Sequence, residues 1–293
     1  MTTGADAAVH VDTGDGVRLA VHDTGGEGRP VVVLLHGWPV TSHHWRFTVP
    51  ALAAAGFRAV TADLRGLGGS TAGGGRFDKE ALAGDVIALA DRLGAGRFAV
   101  VGHDWGGTVG YLAAAAHPSR IRALVVEEEV LPGVDAPLPP PGRDHYPDWH
   151  GPFNRHPGLA ETLLPGREDA YHGAFLRQSA GPEPLADEAV RVYLDAYRRP
   201  GALAAGLGYY RTGRADAAAV RARAGKPLRT PVLAIGGRYG MGTAVAHSLR
   251  TVAAHVEDLQ VPSAGHYPAE QHPQTVNPRL AAFLRRHSGA RQT

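Results

Sequence analysis

The stretch Val100-Val101-Gly102-His103-Asp104-Trp105-Gly106-Gly107 sets a carboxylate at the centre of a G-x-D-x-G pattern. Residues 97–101 form an apolar run suited to a buried strand, and 106–117 have helical character. The spacing therefore predicts a tight strand-to-helix turn with Asp104 at its apex. Gly102 and Gly106 remove the Cβ atoms that would block so sharp a turn. A side chain held there stands clear of its own backbone, which is the placement a nucleophile needs.

Outward from this turn the chain alternates strand and helix. Residues 9–11 and 17–21 alternate apolar and polar positions around Asp15-Gly16, which predicts an opening hairpin of edge strands. Residues 31–35 are continuously apolar, as in a strand covered on both faces. Strand patterns recur at 57–62, 121–126, 231–235 and 256–261, with helical spacing over 79–93 and in other intervening segments. This order predicts an α/β protein with a mostly parallel, doubly wound sheet. After Glu129 the pattern stops. Residues 132–165 are rich in Pro and Gly with no strand signal, and 167–223 look helical with a break at Pro200-Gly201. The expected organisation is a core made of 1–131 and 226–293, interrupted by a helical cap at 132–225. Insertions of such length in compact domains usually carry function.

Composition narrows the chemistry. The 293 residues include no cysteine, which excludes disulfides, thiol catalysis and thiolate metal sites. A net charge of +2, without a basic stripe interleaved with aromatics, gives no nucleic-acid footprint. No run approaches the ~18 apolar residues of a membrane span, and residues 1–8 lack the pattern of a secretory signal. A cytoplasmic protein, monomeric or homodimeric, is expected. The sixteen histidines form no H-E-x-x-H set, so no metal and no cofactor are expected. His43, His44 and the histidines between 145 and 156 lie in loop-like stretches and are expected at the surface.

Two further motifs accompany the elbow. His36-Gly37-Trp38-Pro39 follows a buried strand, where the Trp38 backbone N–H, with that of Trp105, can face a developing oxyanion. Ser263-Ala264-Gly265-His266-Tyr267-Pro268 puts a histidine in the loop after the last strand. Together with Asp63-Leu64-Arg65-Gly66-Leu67-Gly68-Gly69-Ser70, these motifs resemble the α/β-hydrolase superfamily in its epoxide hydrolase and haloalkane dehalogenase branch. The resemblance spans nearly the whole chain.

The resemblance implies that Asp104 attacks an sp³ carbon to form an ester, and that His266 activates the water that hydrolyses it. The usual position of the orienting acid reads Gly236-Gly237-Arg238-Tyr239-Gly240 and holds no carboxylate. Relatives with the acid one strand earlier point to Glu127-Glu128-Glu129, and the spacing to Pro132-Gly133 selects Glu128. Glu127 and Glu129 are then expected to be solvated. Pro200-Gly201-Ala202-Leu203 followed by Gly208-Tyr209-Tyr210-Arg211 resembles the cap segment carrying a ring-opening tyrosine, which assigns that role to Tyr210. A second cap tyrosine is sought near Tyr171-His172-Gly173-Ala174-Phe175, where Phe175 stands instead, leaving Tyr171, Tyr209 or His172 as assistants or a single-tyrosine site. Trp38, Trp105, His36, Phe175, Tyr171, Tyr209 and Tyr267 are the expected pocket residues, and an epoxide and water the expected reactants. A dehalogenase shares the nucleophile, but Trp38 replaces its usual halide-holding amide residue. Trp105 likewise replaces the arginine usual in fluoroacetate dehalogenases. An esterase would carry serine at the elbow. A non-catalytic binding module is the remaining reading.

Overall fold

The computed structural model describes residues 8–140 and 146–288. In chain order the elements are β1 (Val9–Gly14), β2 (Val17–Asp23), β3 (Val31–Leu35), α1 (Thr48–Ala54), β4 (Arg58–Ala62), α2 (Lys79–Arg92), β5 (Phe98–His103), α3 (Trp105–Ala116) and β6 (Ile121–Glu127). Then come α4 (His150–Arg155), α5 (Leu159–Leu163), α6 (Glu168–Ser179), α7 (Asp187–Tyr197), α8 (Ala202–Arg211) and α9 (Gly213–Ala224). The chain finishes with β7 (Val232–Gly237), α10 (Ala244–Arg250), β8 (Val256–Val261), α11 (Pro268–Gln271) and α12 (Pro273–Ser288).

The strands form one sheet in the order β1-β2-β4-β3-β5-β6-β7-β8. β1 and β2 pair antiparallel, as do β2 and β4, and the rest is parallel. The apolar runs have no polar alternation because both faces are covered. Val33, Leu35, Val100 and Val126 pack with Val86, Leu89, Val109 and Leu112 of α2 and α3. Val32, Leu34, Val101 and Val125 pack on the other face with Leu52 of α1 and Leu280 and Leu284 of α12.

Two expectations change. Of the two hairpin strands only β1 lies at a sheet edge; β2 is interior, since Val21 pairs with Ala62 of β4, and Leu19, Ala20 and Val21 are all buried. The helical stretch between 167 and 223 breaks in more places than Pro200-Gly201. Gly181-Pro182-Glu183-Pro184 separates α6 from α7 because proline cannot continue a helix, and Thr212 separates α8 from α9. Residues 1–7 and His145, read above from the sequence, lie outside the described residues.

Helices α4 to α9 all fall between β6 and β7, which are neighbours in the sheet. The parallel strands β3, β5, β6, β7 and β8 end on one side. The loops bearing Trp38, Asp104, Glu128 and His266 consequently converge there, at the carboxyl ends of the strands where open α/β sheets bind ligands.

Candidate active site

Asp104 follows β5 directly, with φ 50° and ψ −129°, a sparsely populated backbone for a non-glycine residue. The turn closes because its neighbours have no side chains. A Cβ on Gly102 would lie 2.2 Å from the Gly106 carbonyl oxygen, and one on Gly106 would lie 2.6 Å from that of Leu35. The Gly107 amide closes the elbow onto the Asp104 carbonyl at 2.7 Å. The Asp104 carboxylate is buried, and its Oδ1 accepts from the Trp38 amide at 2.9 Å. Trp105 begins α3, so its amide has no preceding helical carbonyl to bond.

His266 bridges the two carboxylates. Its Nε2 lies 3.5 Å from Asp104 Oδ2, and its Nδ1 lies 3.1 Å from Glu128 Oε2. Glu128 is aimed by its own backbone, at φ 52°, and by amides that donate to it from Gly237 at 2.6 Å and Met241 at 2.8 Å. The His266 backbone is fixed from α6 as well, its amide donating to the Ser179 carbonyl at 2.8 Å. Burial of the imidazole opposes its charge, yet the hydrogen bonds and charges of Asp104 and Glu128 outweigh burial and raise His266 to about 9. Glu128 is itself pushed upward by burial, against the pull of His266 and the two amides.

The neighbours of Glu128 are not solvated. Glu127 accepts from the Ala269 amide at 2.8 Å and lies 3.6 Å from His44 Nε2. Glu129 is 4% exposed. Both are buried rather than standing at a free strand end. His44 is also buried, held between Glu127 and Glu270. These two carboxylates overcome the burial penalty and raise His44. His150 is buried too, stacked on Trp38 with ring centroids 5.7 Å apart. His43 is half-buried, and His156 is exposed as expected.

A cavity of about 1340 Å³ opens above Asp104. It is larger than most small-molecule pockets, so it has room for a bulky substrate. Asp104, Trp105, Glu129, Tyr146, His150 and Tyr210 all line it. Tyr210 packs edge-on against Trp38 and Trp105, with centroids 5.3 and 5.5 Å away. Burial, then the nearby Tyr146 and Asp104, keep its phenol well above the ordinary range and so neutral.

The remaining expected pocket residues have these partners. Tyr209 donates its hydroxyl to the Arg65 carbonyl at 2.9 Å and faces Phe77. Tyr171 donates to Asn154. His172 bonds the Glu168 carbonyl and packs on Tyr197. His36 is spent on its own loop, with Nδ1 2.8 Å from the Gly37 carbonyl and Nε2 accepting from Leu64 N. Phe175 backs the site, 4.6 Å from both Trp38 and His150. Tyr267 hydrogen-bonds Ser179.

Tyr146 and His150 line the cavity as well, neither expected there from sequence. The Tyr146 ring lies 4.6 Å from that of His266, tilted by 53°, and its hydroxyl lies 3.3 Å from His150 Nε2. Burial lowers His150 to about 4, so this imidazole is neutral near pH 7. Tyr146-Pro147-Asp148-Trp149-His150 is an aromatic cluster inside the Pro/Gly-rich stretch, the one signal that could have drawn attention to it.

Comparison with known proteins gives a consistent result. Residues 30–273 match the family model described as alpha/beta hydrolase fold. The chain is 33% identical over 261 residues to the soluble epoxide hydrolase of Corynebacterium sp. (strain C12), covering 86% of this chain and 89% of that one. It is 29% identical over 317 residues to epoxide hydrolase A of Mycobacterium tuberculosis, covering 96% and 98%. The crystal structure of wild-type Cfl2 from Burkholderia cenocepacia superposes with a TM-score of 0.86 at 34% identity, over 97% of each chain.

Proposed function

The chain belongs to the α/β-hydrolase family and is an epoxide hydrolase-like hydrolase, and we propose that it opens an epoxide to a vicinal diol through a covalent ester on Asp104. The observation that carries this reading is His266 held between Asp104 at 3.5 Å and Glu128 at 3.1 Å, beneath a cavity walled by Tyr210.

In the first step an Asp104 oxygen bonds a ring carbon and the ring C–O bond breaks. The leaving alkoxide takes the Tyr210 proton. The Tyr146–His150 pair supplies a second donor to the ring oxygen, in place of the cap tyrosine sought at Phe175. Ester formation removes the Asp104 charge, which had kept a proton on His266. That proton passes to the tyrosinate, leaving neutral imidazole as the base for the second step. Water then attacks the ester carbonyl while His266 takes its proton, and the Trp38 and Trp105 amides face the oxyanion. Collapse expels the alkoxide, which takes the remaining water proton to give the diol, and restores the Asp104 carboxylate beside imidazolium. The ester carbonyl is the electrophile of that step, which is why a carboxylate serves here better than a serine.

The same reading divides the chain into a core of 1–131 and 226–293 and a cap of 132–225, and places it in the cytoplasm as a monomer or homodimer. Among the described residues no helix is long and apolar enough to cross a membrane. A dehalogenase reading has one observation in its favour, since the buried Trp105 Nε1 has no partner among the described residues. The second indole is turned away, because Trp38 Nε1 faces Gly206 of α8. A single turnover in ¹⁸O-water tests the mechanism. The first diol should carry its new oxygen from Asp104 and be unlabelled. Full labelling in that first turnover would exclude the ester, and halide release from bromoalkanes outrunning diol formation would exclude the function.

A further inference from the structure

Glu129 has no part in the reaction described above, yet it is one of the least expected side chains in the molecule. It follows β6 by two residues, is 4% exposed, and lines the same cavity wall as Asp104 and Trp105. In sheet order β6 lies on the opposite side of β5 from β3. The Glu129 loop therefore flanks Asp104 on the side away from the Trp38 loop. One carboxyl oxygen accepts the Thr108 hydroxyl from α3. The other has no protein partner among the described residues.

Among the described residues no lysine or arginine forms an ion pair with this carboxyl. Lys79, whose charge reaches it, is committed to Asp216 at 3.0 Å, to the Tyr209 carbonyl and to Thr212. Burial, with the Asp104 charge adding to it, holds the Glu129 carboxyl well above the ordinary carboxylate range, despite Thr108, Lys79 and His266. A buried carboxyl without a counter-ion takes up a proton, and a protonated carboxyl is a hydrogen-bond donor.

We propose that Glu129 is the substrate-recognition group of this cavity, a neutral carboxylic acid that donates a hydrogen bond to an ether, hydroxyl or carbonyl oxygen carried near the epoxide ring. The favoured substrates are oxygen-substituted epoxides with an apolar body. That body fits a wall built from Leu131, Val134, Leu138 and Met241. The assignment rests on Asp104 as the nucleophile, and it concerns which epoxide is chosen rather than how the ring opens. A carbon analogue lacking the oxygen would leave the buried donor unpaired, and discrimination against it follows.

The test uses a matched pair of epoxides, phenyl glycidyl ether and 4-phenyl-1,2-epoxybutane, which differ by one oxygen in place of a methylene. The wild-type protein is expected to favour the ether about tenfold in kcat/KM, the value of one net hydrogen bond. Glu129→Gln keeps a donor and an acceptor for Thr108 and should retain the preference. Glu129→Leu should bring the ratio to about one. Equal loss of preference in both variants, a wild-type ratio near one, or collapse of activity on both epoxides in Glu129→Leu would overturn the assignment. A glycidyl trimethylammonium ion outrunning the ether would overturn it too, by identifying a charged carboxylate. If neither epoxide gives diol, nor an ester adduct on the protein mass in a His266→Gln background, the hydrolase reading itself falls, an outcome distinct from each of these.

Discussion

Replacing Asp104 by Asn should move the titration of His266 by several pH units. The imidazole Nε2 lies 3.5 Å from Asp104 Oδ2, and the ring is raised to about 9 from an ordinary value of 6.5. At that separation, with an effective dielectric of about 20, two unit charges attract by roughly 4–5 kcal/mol, which corresponds to about three pH units. His266 in Asp104→Asn should then titrate near ~6, with Glu128 still bonded to Nδ1. In the proposed mechanism the same change occurs when Asp104 becomes an ester, so the variant would report the moment at which the base is made. The measurement is NMR of ring protons in histidine-labelled protein, with the His266 signal assigned by its loss in His266→Gln. The sign has a consequence for stability as well. Because the folded value lies above the unfolded one, the His266 contribution is complete below about 6.5 and is lost as pH rises through about 9. A His266 that titrates above ~8 in Asp104→Asn, or that is already neutral at pH 7 in the wild type, would refute the coupling.

Three further outcomes are expected. His266→Gln should alkylate but hydrolyse at least ~100-fold more slowly, the scale of lost base catalysis, so intact-protein mass should show the ester accumulating. Tyr210→Phe should slow alkylation by ~100-fold or more without slowing hydrolysis of ester already formed, as stopped-flow and quench measurements would separate, and an unchanged alkylation rate would remove the phenol from the mechanism. Lys79 of α2 and Asp216 of α9 form a buried ion pair 3.0 Å long between segments on either side of the proposed cap boundary. Asp216→Asn alone should cost about 3–5 kcal/mol, or a fall in Tm of about 6–20 °C, whereas Lys79→Met with Asp216→Leu should cost far less; equal losses in a melting series would contradict this.

Much of this molecule is legible along the chain, because local patterns are enough for it. Apolar runs at 31–35 and 231–235 require a sheet covered on both faces, and G-x-D-x-G requires the sharp turn that lifts Asp104. The loop order brings Trp38 and His266 to the same end of the sheet. What the sequence leaves open depends on which side of a loop a residue faces. Three consecutive glutamates look alike in sequence, yet the φ of 52° at Glu128 and the amides of Gly237 and Met241 turn one toward His266. Glu127 goes instead to the Ala269 amide and Glu129 to the cavity wall. Tyr146 and His150 reach the site from a Pro/Gly-rich stretch with no periodicity to place them, whereas Tyr209, next to Tyr210 on the same helix, points to Arg65. Strand periodicity and turn chemistry act within a few residues and can be read there. Burial, charge and the direction of a cap side chain are set by contacts distant in sequence, so only the folded chain decides them.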